Sequence, residues 1–208
     1  MSPTFIISGT DTGVGKTTVA AMLTLALEAV YWKPIQSGTE GETDRQRVQS
    51  LTALPDARFL PERYILQNPL SPHRAAELDG IEIDTARFPI PKTDQPLIIE
   101  GAGGLMVPLT RQKLQIDLFA NWGVPVILCA RTGLGTINHT LLSLEALRHR
   151  NMRVHGLIFI GEDNADNMRT LADLSGCPVL GHMPPLDVID HLSLRQVFAQ
   201  HFHISDFI

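Results

Sequence analysis

One stretch of this chain constrains its fold more than any other. A short apolar run over residues 4–8 passes directly into Gly9-Thr10-Asp11-Thr12-Gly13-Val14-Gly15-Lys16-Thr17-Thr18, and that loop runs on into the apolar AAMLTLALEAV. Strand, glycine-rich turn and helix in this order form a phosphate-binding loop. The glycines let the backbone curl so that successive N–H groups point at phosphate oxygens, and the following helix adds the positive end of its dipole. In that setting Lys16 meets the β and γ phosphates and the Thr17 hydroxyl meets Mg²⁺. The usual spacing would need glycine at position 10, where Thr10 stands; Gly9 begins the loop instead, one residue longer than the common pattern.

The remaining apolar runs do not alternate, as expected of strands buried on both faces: 31–35, 96–99, 124–130, 154–160 and 179–180. Helical spacing occupies 16–30, 44–54, 115–122, 136–150, 164–175 and 192–200. Alternating strand and helix signals predict an α/β fold, a mostly parallel sheet with helices on both faces. The proline-rich segment 55–92 offers only one short helix, after Ser71-Pro72, and is expected to cover an edge or a site. Without repeats, low-complexity tracts or a linker, residues 1–208 read as a single domain. Ligands of open α/β sheets bind beyond the carboxyl ends of the strands, so the chemistry belongs to the loops after Ser8, Ile35, Ile99 and Ala130.

Composition removes several classes of function. A formal net charge of −5 leaves no broad basic field for nucleic acid. No apolar stretch reaches the roughly 20 residues of a membrane span, and MSPTFIISGT carries no secretion signal, so a cytoplasmic location is expected. Cys129 and Cys177 lack a metal-ligand spacing and read as reduced core thiols. His149, His182, His191, His201 and His203 match no zinc pattern.

Several residues outside the loop bear on phosphate chemistry, and each has a plainer reading beside it. Lys33, in Lys33-Pro34-Ile35-Gln36-Ser37-Gly38, is either a second phosphate-side cation or an ordinary strand-end lysine. Glu100, followed by Gly101-Ala102-Gly103-Gly104, is placed to hold Mg²⁺ or to be satisfied by the glycine-rich backbone. Thr43-Asp44 resembles a helix start, where aspartate is favoured without any metal. Ser71-Pro72-His73 reads as a cap, a first-turn proline and an exposed histidine. Gly133-Leu134-Gly135-Thr136-Ile137-Asn138-His139 opens a long helix whose N–H groups suit a carboxylate, or whose Thr136 is a simple cap.

Taken together, GTDTGVGKTT, YWKPIQSG, Asp44, SPHRAAE, EGAGGLMVPL, GLGTINHTLL and GHMPP stand in an order and spacing that resemble the dethiobiotin synthetases, P-loop NTPases that share the lengthened loop. The resemblance covers residues 4 to about 186. It implies a homodimer that binds ATP in the glycine loop and 7,8-diaminononanoate near the subunit interface. The diamine, CO₂ and ATP would react through a carbamate and a carbamic-phosphoric mixed anhydride. Lys16 and Lys33 would then be catalytic, and Thr17, Asp44 and Glu100 would hold Mg²⁺. Thr12, Gly13, Val14, Gly15, Thr18, Gly101, Ala102 and Gly103 would line the ATP. Ser37, Leu134, Gly135, Ile137 and Asn138 would meet the substrate, the last four from the second subunit. Ile160-Gly161 stand where some relatives read the base with Asn-Asp, leaving that task to Asn164 or to the backbone of Pro184, Pro185 and Leu186. The competing reading is a switch ATPase of the ParA and MinD kind, whose loops usually carry an additional early lysine that this one lacks.

Overall fold

The computed structural model describes residues 2–208. β1 (Thr4–Gly9) lies at the centre of a seven-stranded sheet. Across that sheet run β4 (Phe59–Leu60), β2 (Val30–Trp32), β6 (Leu97–Gly104), β1, β7 (Val126–Arg131), β8 (Val154–Ile160) and β9 (Val179–Met183), all parallel. Successive side chains of a strand point to opposite faces, and the core divides accordingly. Phe5 and Ile7 pack with Val19, Met22 and Leu23 of α1 (Lys16–Ala26) and with Leu194 and Val197 of α7 (His191–His201). Ile6, Ile99 and Leu128 face Phe119 of α4 (Gln115–Trp122), Leu144 of α5 (Thr136–His149) and Leu171 of α6 (Ala165–Ser175). Helices cover both faces, as the alternating pattern predicts.

Three expectations need correction. The run 31–35 is two strands: β2 ends at Trp32, and β3 (Ile35–Ser37) joins a separate two-stranded parallel sheet with β5 (Tyr64–Leu66). Pro34 lacks an N–H for the ladder, while its carbonyl accepts from the N–H groups of Arg63 and Tyr64. The first helix stops at Ala26, short of residue 30, because Glu28 takes φ 48° and the Ala29 N–H turns back to the Thr24 carbonyl. The glycines after Glu100 are not a loop: β6 continues through Gly104, which pairs with Gly9.

Segment 55–92 contains β4 at the sheet edge, β5, and α3 (Pro72–Asp79). It is fastened by an aromatic cluster of Trp32, Tyr64, Phe88 and Trp122, with Trp122 Nε1 donating to the Phe88 carbonyl at 2.7 Å. The strand order reverses about β1, with β6 on one side and β7 on the other, so the carboxyl end of β1 is the switch point where such sheets bind ligands. Among the described residues no helix is long and apolar enough to cross a membrane.

Candidate functional site

The glycine loop leaves β1 at this switch point. Gly13 and Gly15 adopt φ 69° and 103°, a region favouring glycine, and Gly15 takes the N-cap of α1. Val14 is buried beneath the loop, and Thr18 lies in the first turn of the helix. Lys16 folds back on the loop, its Nζ 3.1 Å from the Asp11 carbonyl. Burial first, and the charge of Lys33 second, hold its pKa below the ordinary lysine value.

Beside the loop, two strands and two helices bring one cluster together. Lys33, 4% exposed just past β2, places Nζ 2.7 Å from Asp44 Oδ2, 3.1 Å from Glu100 Oε1 and 3.0 Å from the Gly101 carbonyl. Glu100, 1% exposed in β6, accepts from the Thr17 hydroxyl at 2.8 Å on Oε1 and from the Tyr31 hydroxyl at 2.8 Å on Oε2. Thr17 also reaches Asp44 Oδ1 at 3.2 Å. Asp44 opens α2 (Asp44–Thr52), which Thr43 caps in a reciprocal box with Gln46. Asp44 is therefore the helix start that its local sequence suggests and also a member of the site.

Burial pushes the Lys33 pKa down, but Glu100 and Asp44 reverse the effect and leave it above the ordinary value. Burial pushes Asp44 up, but Lys33, with the Thr17 hydroxyl and Lys16, together outweigh it and leave Asp44 below the usual carboxylate range. Burial and Glu100 raise the Tyr31 hydroxyl well above its usual range, keeping it a donor.

Two cavities open on this cluster. A phosphate-side cavity of about 330 Å³ is lined by Thr12, Gly13, Gly15, Lys16, Thr17, Lys33, Asp44, Glu100 and Gly103. Its neighbour, about 360 Å³, is walled by Ile35, Gln36, Ser37, residues 69–72, Ala102 and Val107, and shares Thr12, Lys33, Asp44 and Gly103 with the first. Ser37 Oγ is buried there without a hydrogen-bond partner among the described residues. One hydroxyl and two carboxylates converging on the phosphate cavity are the hard oxygen donors that suit Mg²⁺, which binds few protein ligands and completes its shell with phosphates and water. Among the described residues no group of three or more His, Cys, Asp and Glu side chains is placed to hold a metal.

Other residues singled out in the sequence lie outside both cavities. Leu134, Gly135, Ile137 and Asn138 precede or begin α5, with Leu134 fully exposed and Gly135, not Thr136, at the N-cap; the Thr136 hydroxyl bonds the Arg131 carbonyl instead. Pro184, Pro185 and Leu186 follow β9, and Asn164 spends its side-chain oxygen capping α6. His73 bonds Ser71 Oγ through Nδ1 at 2.9 Å. Cys129 is buried in β7, its thiol pushed up to about 12 by burial.

Sequence reasoning passed over four residues that brace the site. Tyr31 reads only as an apolar strand residue. Gln36 accepts from the Asp44 N–H at 3.3 Å and donates to the Ser37 and Gly38 carbonyls. Gln115 clamps the end of β6, accepting from Ala102 N at 2.7 Å and donating to the Gly104 carbonyl at 3.1 Å. Arg131 donates to the Thr12 carbonyl at 3.2 Å; its place at the carboxyl end of a central strand was the signal available for it.

A family model described as an AAA domain matches residues 3–193. The ATP-dependent dethiobiotin synthetase BioD of Agrobacterium fabrum is 57% identical over 208 residues, covering 100% of this chain and 98% of that protein. That of Brucella anthropi is 54% identical over 207 residues, with the same coverage of each chain. Among solved structures, the septum site-determining protein MinD of Pyrococcus horikoshii, complexed with Mg-ADP, superposes with a TM-score of 0.57 at 15% identity, covering 95% of this chain and 93% of its own. The cell division ATPase MinD of Pyrococcus furiosus gives 0.53 at 16% identity, covering 88% and 84%. Likeness at that identity is likeness of fold alone. Full-length identity above one half is of another order, and it falls on proteins of one kind: the chain belongs to the dethiobiotin synthetase family, within the AAA-domain family whose model it matches.

Proposed function

We propose that the chain performs ATP-dependent synthesis of dethiobiotin in biotin formation, the activity named for its relatives. One amine of 7,8-diaminononanoate attacks CO₂, forming an N–C bond as the nitrogen gives up a proton. A carbamate oxygen then attacks the γ-phosphorus of ATP, and ADP leaves. The second amine attacks the carbon of the resulting mixed anhydride, the C–O bond to phosphate breaks, phosphate departs, and the ureido ring closes as that nitrogen loses its proton.

The observation that carries this reading is the shared wall of the two cavities, with Lys33 in it. A γ-phosphate in one and a carbamate in the other meet at the Lys33 ammonium, whose charge balances both. Lys16 holds the phosphates from the loop side, and the unpartnered Ser37 hydroxyl meets the diamine. Thr17, Asp44 and Glu100 hold Mg²⁺, which supplies neutralisation of phosphate charge. Leu134, Gly135, Ile137 and Asn138 belong to the site of a second copy in a homodimer, where the N-terminus of α5 receives the substrate carboxylate. The backbone of Pro184, Pro185 and Leu186, or Asn164, meets the base. The enzyme works in the cytoplasm on small molecules.

The test is ADP release with Mg-ATP and bicarbonate, with and without the diamine, following dethiobiotin by mass spectrometry. Diamine-dependent ADP with an equal yield of dethiobiotin is expected. Diamine-independent hydrolysis without product would replace this reading with a nucleotide-driven switch.

A further inference from the structure

We infer that Tyr31 is a positioning residue for phosphoryl transfer: its buried hydroxyl fixes Glu100 with one carboxylate oxygen turned towards Thr17 and Lys33. The inference rests on the reading of Glu100 as a metal ligand and adds the residue that aims it. The two oxygens of a carboxylate are equivalent until their surroundings distinguish them. Here Oε1 receives Thr17 at 2.8 Å and Lys33 at 3.1 Å, both walls of the phosphate cavity, while among the described residues Oε2 receives only Tyr31, at 2.8 Å. Glu100 is almost wholly buried, so solvent does not replace that donor.

Strand register explains the placement. Tyr31 pairs with Ile98 of β6, and Glu100 lies two residues further along the same face, the diagonal neighbour that an aromatic side chain reaches across a sheet. Tyr31 is the middle residue of β2 and pairs on its other side with Phe59 of β4, its ring 6.4 Å from the Phe59 ring. Held by strands on both sides, the hydroxyl has little freedom to leave Oε2. Partners that orient a ligand in this way commonly carry about ten- to a hundredfold of metal affinity.

The test is Y31F, which keeps the ring and removes the donor. Calorimetric titration of Mg²⁺ into the protein–ADP complex should show half-saturation raised about tenfold, with metal-free ADP affinity and the KM for the diamine unchanged and kcat lowered. In an E100Q background Y31F should change the Mg²⁺ titration no further, since Tyr31 acts through Glu100. An unaltered Mg²⁺ titration, an additive effect in E100Q, or an equal loss of metal-free ADP binding would overturn the proposal. Should Y31F not fold, the wild-type chain supplies the answer. Its two tyrosines, Tyr31 and Tyr64, labelled with ¹³C at Cζ, should give one resonance that moves on adding Mg²⁺ to the ADP complex and one that does not; two unmoved resonances overturn the proposal. Wild type that makes no dethiobiotin sinks the activity but not this inference, and normal turnover by a Y31F chain with unaltered Mg²⁺ dependence does the reverse.

Discussion

Lys33 keeps its charge in a place where burial works against it. Its ammonium is held above the ordinary value near 10.5 by Glu100 and Asp44, and Asp44 is held below the ordinary 3.8 by Lys33. The signs fix a pH window. A depressed carboxylate contributes stability that is complete above its unfolded pKa and lost as pH falls through the folded one. A raised lysine contributes stability complete below its unfolded pKa and lost as pH rises through the folded one. The cluster's contribution should therefore be flat from about pH 5 to about pH 10 and decline outside, as urea unfolding across pH would record. Lys33→Met leaves the buried Glu100 and the half-buried Asp44 without their cation; it should cost about 3 kcal/mol of stability, flatten the acid limb, and lower kcat by about a hundredfold or more. Ser37 contrasts with it. Because Oγ has no partner to lose, Ser37→Ala should leave unfolding within about 0.5 kcal/mol while raising the diamine KM by up to about tenfold; a destabilised variant with unchanged KM would remove Ser37 from the substrate. Lys16, Thr17, Lys33, Asp44, Glu100 and Ser37 were legible because charge and hydroxyl groups sit beside glycine and proline in a recognisable order. Tyr31 and Gln36 were not, because an aromatic in an apolar run reads as core and a single amide carries no pattern.

Elements of five or more residues were legible and shorter ones were not, for a reason visible in β2 and β3. Residues 31–35 form one apolar run, and only the Pro34 carbonyl, turned to Arg63 and Tyr64 of a segment with no periodicity of its own, shows that the run changes sheets. Strands of two or three residues such as β4 and β5 have too few positions to display a period. β6 misled in the opposite sense: glycines signal a turn, yet here they let the strand end pass close to the loop and to α4. A Cβ on Gly101 would meet Phe119 at 2.9 Å and Gln115 at 3.0 Å. Gly103 has φ 63°, and its Cβ would meet Thr12 Oγ1 and Val107 Cγ2 at 3.0 Å, in the wall common to both cavities. Gly103→Ala should therefore cost about 1–2 kcal/mol in thermal or urea unfolding and reduce coupling between the cavities, raising ADP release relative to dethiobiotin formed. An alanine variant with wild-type stability and stoichiometry would show that this close approach has no part in the chemistry.

At the scale of the molecule, one chain closes the phosphate and Ser37 cavities but leaves the start of α5 apart from them, with Leu134 fully exposed and Asn138 open to solvent. Met106 and Leu142, also exposed, lie together on a shallow surface beside the same helix. Scattered exposed apolar residues are ordinary; the separation of the start of α5 from both cavities is the feature that a two-chain site would explain. If residues 134–138 act in the partner's site, each site takes Lys33 from one copy and Asn138 from the other. N138D sets a carboxylate against the substrate carboxylate and should be nearly inactive with Mg-ADP binding intact; K33M should be inactive through the other half of the site. Mixed and allowed to exchange subunits, the two inactive proteins should recover activity. Half of the dimers would then be mixed, and each mixed dimer would hold one site with both Lys33 and Asn138 in place, so about a quarter of wild-type turnover is expected from an isologous pair. No recovery despite demonstrated exchange would mean that residues 134–138 serve their own chain or no substrate at all, and the two-chain site would have to be abandoned.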